Sequence, residues 1–231
     1  MAPPHRPVSA YHERMRKPVL CAVVSIVALI SLACVPPRAL LFLPDSAELR
    51  QPAPEAFHVK LHTTKGDVTL DIQRKFAPHG VDRFYHLVVI GYYDDMRLTR
   101  VVKDRWAQFG INGNPAIAKI WRDHPIPDDP RVLSNVRGTI AFAFAVPNGR
   151  TTQVFINLGD NSATNDAGGF APLGSVSKGM DVVDKWYAEY GENAGGGIRA
   201  GKQGPLFDGG NAYIDANFPK LDSIIRATVV R

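Results

Sequence analysis

Cysteine is almost missing from this 231-residue chain: Cys21 and Cys34 are its two, both inside one apolar stretch near the N-terminus. Beyond residue 34 no disulfide, thiolate metal site or thiol nucleophile can form, so packing alone must hold the folded part together. Excess charge is also scarce. Of the +5 formal charge, residues 1–34 hold Arg6, Arg14, Arg16 and Lys17 against Glu13, which leaves 23 basic and 21 acidic residues, or +2, for the remainder. Such a balance gives no electrostatic footprint for a phosphate backbone and argues against nucleic acid as a partner. Also missing are a G-x-S-x-G elbow, an H-E-x-x-H helix and a C-x-x-C pair, so nucleophilic and metal-assisted hydrolysis have no candidate. His58 and His62 share a strand parity but stand about 13 Å apart on an extended chain, too far to grip one ion. Residues 196–203 (GGIRAGKQ) approach a phosphate-binding loop. Gln203, however, offers no magnesium-ligating hydroxyl, and Gly204-Pro205 is expected to block the helix that would hold the phosphates. No cofactor or metal is expected.

What is present is an ordinary globular composition, 45% hydrophobic and 21% charged, enough for one domain with a full core. Val19 to Cys34 runs 16 residues without a charge, behind Arg14, Arg16 and Lys17 and ahead of Pro36 and Pro37. That layout reads residues 1–43 as an export signal or a retained membrane anchor, with the domain outside the cytoplasm. Small residues at Ser31 and Ala33 suit a signal peptidase, and Cys34 is a weaker candidate for lipid attachment. Residues 44–56, with three prolines and no periodicity, read as a linker.

The folded part is expected over 57–231. Phe57, Val59, Leu61 and then Val68, Leu70, Ile72 alternate with polar residues around Thr64–Asp67, which predicts a β-hairpin with one buried face. Pro78 to Ile90 reads as an amphipathic helix ended by Gly91, and Met180 to Tyr190 as a second ended by Gly191. Short β-rich runs recur at 97–102, 105–109, 138–145 and 153–157, whereas 191–210, with eight glycines, reads as a long loop. Many short strands with two helices point to a closed barrel or a sandwich. Arg100 and Gln108 have the same parity on an extended pair, and Gln153 and Phe155 share another strand face. Amide and guanidinium groups beside aromatic rings suit a peptide-binding groove.

The ordered segments VKLHTTKGDVTLDI, GYYDD, TRVVKDRWAQFG, GTIAFAFA, TTQVFIN and FAPLGSVSKGMDVVDK resemble a cyclophilin-type peptidyl-prolyl isomerase over roughly residues 57–190. The extension from about 191 is similar to an exported bacterial-like branch. The resemblance implies a mainly β fold, a closed eight-stranded antiparallel barrel capped by two α-helices, acting on proline-containing polypeptides without a cofactor, as a monomer. It implies catalytic places for Arg100, Gln108 and Phe155, and substrate-binding places for Trp106, Ala143, Gln153 and Phe170. Thr99, Arg105 and Phe144 depart from the family pattern, which has histidine, phenylalanine and asparagine there, and the Asn161–Gly169 loop carries extra residues. Arg105 and Phe144 keep open a second reading, a non-catalytic scaffold or chaperone module that binds proline segments.

Overall fold

The computed structural model describes residues 36–195 and 202–230, together with Met1. Cys21, Cys34, the apolar stretch between them and most of the 196–203 run lie outside the described residues.

The hairpin forms as its alternation demands. β1 (Ala56–Thr63) and β2 (Gly66–Gln73) pair antiparallel and bury Val59, Leu61, Val68, Leu70 and Ile72. Gly66 sits at φ 129°, a conformation the tight turn requires and a side chain resists. α1 (Pro78–Val89) starts on proline, lays Val81, Phe84 and Leu87 into the core and ends before Gly91 at φ 76°. Its first-turn amides at His79 and Gly80 donate to the Asp129 carboxylate at 2.9 and 2.8 Å, a cap delivered from a distant loop.

Among the described residues nine strands make one antiparallel sheet in the order β3-β9-β1-β2-β8-β6-β7-β5-β4. The remaining strands are β3 (Met96–Arg97), β4 (Arg100–Val102), β5 (Trp106–Phe109), β6 (Thr139–Phe142), β7 (Val154–Asn157), β8 (Pro172–Lys178) and β9 (Ser223–Val230). The expected eight-stranded barrel is therefore corrected in detail. The strand anticipated over 97–102 is interrupted at Leu98–Thr99, whose side chains are buried, and its halves β3 and β4 stand at the two ends of the sheet order. The curled sheet returns to itself through covalent chain, and among the described residues no ladder pairs β3 to β4.

The helices differ more. In place of a helix over 180–190 there is one turn, α4 (Met180–Val183). The chain then turns so that Trp186 enters the core, and the Tyr187 amide donates to Asp222 Oδ2 at 2.8 Å instead of to a helical carbonyl. Short helices α2 (Pro115–Arg122) and α3 (Ser162–Asn165) appear between strands. α5 (Gly204–Asn217) occupies part of the anticipated loop. Pro205 lies in its first turn, where a missing N–H is harmless, so it begins the helix where a block was expected. The glycines that obscured α5 have a geometric cause: Gly210 (φ 55°, ψ −148°) kinks it, and a Cβ there would stand 2.1 Å from the Gly113 carbonyl oxygen.

Residues 36–56 pack onto the domain, although 36–43 were expected to belong to the export segment and 44–56 to a linker. Pro37–Phe42 form a 3-10 turn that buries Leu40 and Leu41, and the Trp121 indole N–H donates to the Leu41 carbonyl at 2.8 Å. Ala53 is buried, with its amide on Asp82 Oδ1 at 2.9 Å. The compact unit begins at Val35, ahead of residue 57, where the folded part was expected to start.

Candidate active site

Strand register assembles the site. Arg100 on β4 pairs with Gln108 on β5, Gln108 with Phe155 on β7, and Phe155 with Ala141 on β6, one row across four strands. Trp106 precedes Gln108 by two residues and shares its face. Just beyond the strand ends the Ala143 amide donates to the Gln153 carbonyl at 2.9 Å, bringing those two residues beside the row. A cavity of about 270 Å³ opens over this face, lined by Arg100, Arg105, Trp106, Gln108, Ala143, Phe144, Phe155, Thr164, Asn165 and Phe170. Six of the seven residues singled out from the sequence thus surround one hollow. The seventh, Gln153, stands behind Gln108.

The polar side of the cavity is a wired chain. Arg100 Nη1 donates to Gln108 Oε1 at 2.6 Å, Gln108 Nε2 to Gln153 Oε1 at 2.8 Å, and Gln153 Nε2 to Gln203 Oε1 at 2.9 Å. Gln108 and Gln153 are buried, where an unpaired amide would cost about 1–3 kcal/mol, so each bond fixes the orientation of the next. On its outer edge the guanidinium meets Glu192, Nε to Oε2 at 2.8 Å and Nη2 to Oε1 at 2.7 Å. Of the five N–H groups an arginine carries, one on each terminal nitrogen has no protein acceptor among the described residues. Trp106 lies under two cations, with the Arg100 guanidinium 4.7 Å and the Arg105 guanidinium 4.5 Å from the ring centre.

The apolar side is aromatic. Phe170 meets Phe155 edge-on at 5.5 Å and Phe144 at 4.5 Å, and Ala143 completes the wall. Phe144 is backed by the Arg150 guanidinium 4.5 Å from its ring, itself tied to Asp128 and to the Gly169 carbonyl. Asn135 Nδ2 holds the Phe170 carbonyl at 2.8 Å. α3, inside the Asn161–Gly169 loop with its extra residues, supplies Thr164 and Asn165 to the rim. Sequence reasoning missed Glu192 and Gln203. Both lie in the glycine-rich run, where no periodicity marks a residue as inward-facing, and only the folded chain brings them to Arg100 and Gln153. Among the described residues no group of three or more His, Cys, Asp or Glu could hold a metal.

This arrangement offers an apolar hollow for a small ring with an oriented guanidinium at its edge, and it agrees with what the chain is similar to. Residues 58–196 match the family described as cyclophilin type peptidyl-prolyl cis-trans isomerase/CLD. The chain belongs to the cyclophilin-type peptidyl-prolyl cis-trans isomerases, a family of enzymes. It is 30% identical over 185 residues to peptidyl-prolyl cis-trans isomerase A of Dickeya dadantii (strain 3937), covering 78% of this chain and 90% of that one. It is 29% identical over 180 residues to peptidyl-prolyl cis-trans isomerase B of Escherichia coli (strain K12), covering 74% of this chain and 98% of the relative. A cyclophilin-type isomerase of Cryptosporidium parvum, solved in the presence of the dipeptide Ala-Pro, shares the fold with a TM-score of 0.55 and 17% identity, over 75% of this chain and 99% of that one. In this cyclophilin-type chain Arg105 and Phe144, noted above as departures from the resemblance, both line the hollow.

Proposed function

We propose that this cyclophilin-type chain accelerates the cis–trans isomerisation of X-Pro bonds in polypeptides outside the cytoplasm, and that the seven residues named from the sequence do the work. Rotation about a peptide bond is slow because resonance must be broken, at ~18–20 kcal/mol. A catalyst needs no covalent step. It must seat the proline ring and favour the twisted amide, whose nitrogen loses conjugation and becomes a hydrogen-bond acceptor. Phe155, Trp106, Ala143 and Phe170 provide the apolar seat. Arg100 donates to the proline nitrogen through a terminal N–H, while Gln108 and Gln153 hold the guanidinium at the edge of the seat. The observation that carries this reading is the buried relay Arg100–Gln108–Gln153 beside an aromatic hollow. Such a relay fixes a donor before substrate arrives, so that no reorganisation is needed at the transition state.

The extracytoplasmic role rests on the basic-then-apolar layout of residues 1–34, and cell fractionation of the full chain tests it. The catalytic role is tested by a protease-coupled assay on a prolyl peptide. Wild type is expected to raise the rate above the spontaneous one. Arg100→Ala is expected to lower kcat by ~10²–10³-fold with little change in KM, since an interaction confined to the transition state acts on kcat. Arg100→Lys is expected to recover little, because a point-like ammonium cannot bridge Gln108 and Glu192 as the planar fork does. Wild-type turnover by a folded Arg100→Ala protein would refute the mechanism. Peptide binding without any rate enhancement by the wild type would favour the scaffold reading.

A further inference from the structure

The cavity carries two cations and no carboxylate among its lining residues, and the two cations are not equivalent. Arg100 is neutralised by the two-point ion pair with Glu192. Arg105 is exposed, sits 4.5 Å over Trp106, and forms no ion pair or side-chain hydrogen bond among the described residues, its sequence neighbour Asp104 included. Its backbone is nonetheless pinned. The Arg105 amide donates to the Val102 carbonyl at 3.0 Å, and its carbonyl accepts from the Leu158 amide at 2.9 Å and from Asn161 Nδ2 at 2.7 Å. The site therefore presents a single uncompensated positive charge, fixed in the turn that leads into β5 and stacked on the tryptophan that also lies under Arg100.

We infer that Arg105 is a specificity-determining residue, and that the preferred substrates are acidic prolyl segments carrying Asp or Glu within two residues of the proline. This rests on the proposed isomerase activity at the same cavity. Both guanidiniums stand against the Trp106 ring, 4.7 and 4.5 Å from its centre. Those two distances put the guanidiniums at most about 9 Å apart, a span that two to three residues of extended chain at about 3.3 Å each can cover, so a proline nitrogen at Arg100 allows a nearby carboxylate to reach Arg105. A phenylalanine at this position would offer only apolar contact. The arginine keeps a stacking surface and adds a planar fork matched to a carboxylate. A basic side chain in the same place meets a like charge that no carboxylate of the cavity lining compensates.

The test uses the full chain and four peptides that differ only beside the proline, with Glu or Lys on its N-terminal or its C-terminal side. At low salt the kcat/KM ratio of the better Glu peptide to its Lys counterpart is expected to be about tenfold, shrinking severalfold at ~0.5 M salt as the rim charge is screened. Arg105→Gln should bring the ratio close to one, Arg105→Glu should invert it, and Arg105→Lys should retain most of it, which a purely structural role for the Trp106 stack would not produce. Arg122→Gln, an exposed cation on α2, is the control and should leave the ratio as in wild type. Equal turnover of Glu and Lys peptides by the wild type, or a preference that survives in Arg105→Gln, would overturn the inference. Should no peptide be isomerised above the spontaneous rate, the isomerase reading fails separately. The same four peptides titrated by calorimetry then decide the inference, because the charge preference must show in affinity.

Discussion

Arg100 and Glu192, 92 residues apart in the chain, meet in a two-point ion pair at the mouth of the cavity. The carboxylate engages Nε and one Nη2 proton while Gln108 takes Nη1, so the guanidinium plane is fixed from two sides before substrate arrives. Glu192→Ala is expected to lower kcat by about tenfold, or ~1.4 kcal/mol, with KM nearly unchanged. Glu192→Gln, which keeps one acceptor, should lose less. Stopped-flow isomerisation with both variants checks this, and a kcat equal to or above wild type in Glu192→Ala would show that the pair does not position the arginine.

Trp106 has an unusual balance of partners. Its ring lies under Arg100 and Arg105, yet its indole N–H is buried without an acceptor among the described residues. Trp106→Phe keeps an aromatic ring and removes an unsatisfied donor, so the expected stability change is within ~1 kcal/mol. The other tryptophans, Trp121 and Trp186, are buried in the core. Titration with a prolyl peptide should therefore change the fluorescence of wild type and leave Trp106→Phe nearly silent. A signal of full size in the variant would place the peptide elsewhere.

The N-terminal turn makes a claim on stability. Leu41 is buried, and its carbonyl accepts the Trp121 indole N–H at 2.8 Å. Leu41→Ala is expected to cost about 2–4 kcal/mol, read as a lower Tm, because it removes a buried side chain from the core cluster and leaves a hollow. The backbone bond survives that substitution. A chain that starts at residue 45 loses both the leucine and the acceptor and should melt lower still. Equal melting of chains beginning at residues 36 and 45 would show that the turn only rests on the surface.

Acid should loosen the rim of the cavity through Asp166. Its carboxylate accepts from Ser134 Oγ at 2.6 Å, the Asn135 amide at 2.8 Å and Asn135 Nδ2 at 2.9 Å, tying the loop that carries Thr164, Asn165 and Phe170 to the chain before β6. Burial acts to raise its pKa, but the bonds from Ser134 and Asn135 together prevail and hold it below the ordinary 3.8. A depressed folded pKa contributes stability that is fully present above 3.8 and is lost as pH falls through the folded value. Tm should accordingly drop in that window for wild type and drop less steeply for Asp166→Asn, which should also melt lower at neutral pH. Parallel Tm profiles below pH 4 would remove Asp166 from the account.

The sequence alone specified what depends on neighbours in the chain. The period-2 alternation from Phe57 to Ile72 fixed the hairpin and its buried face, and proline before and glycine after residues 78–90 bounded α1, because a strand's pleat and a helix's ends are local geometry. The order of short motifs carried the family resemblance, and with it the row Arg100, Gln108, Phe155. Tertiary structure decided the rest. No local pattern shows that the Leu41 carbonyl takes the Trp121 indole N–H, or that the helical period after Val183 yields to burial of Trp186 and the Tyr187–Asp222 bond. Gly210 punctuates α5 only because the Gly113 carbonyl comes too close for a side chain, and Glu192 is one acid in a glycine-rich run until the fold brings Arg100 to it. Periodicity records burial against a single face, whereas the partner of a buried or paired group is set by chain that arrives from far along the sequence.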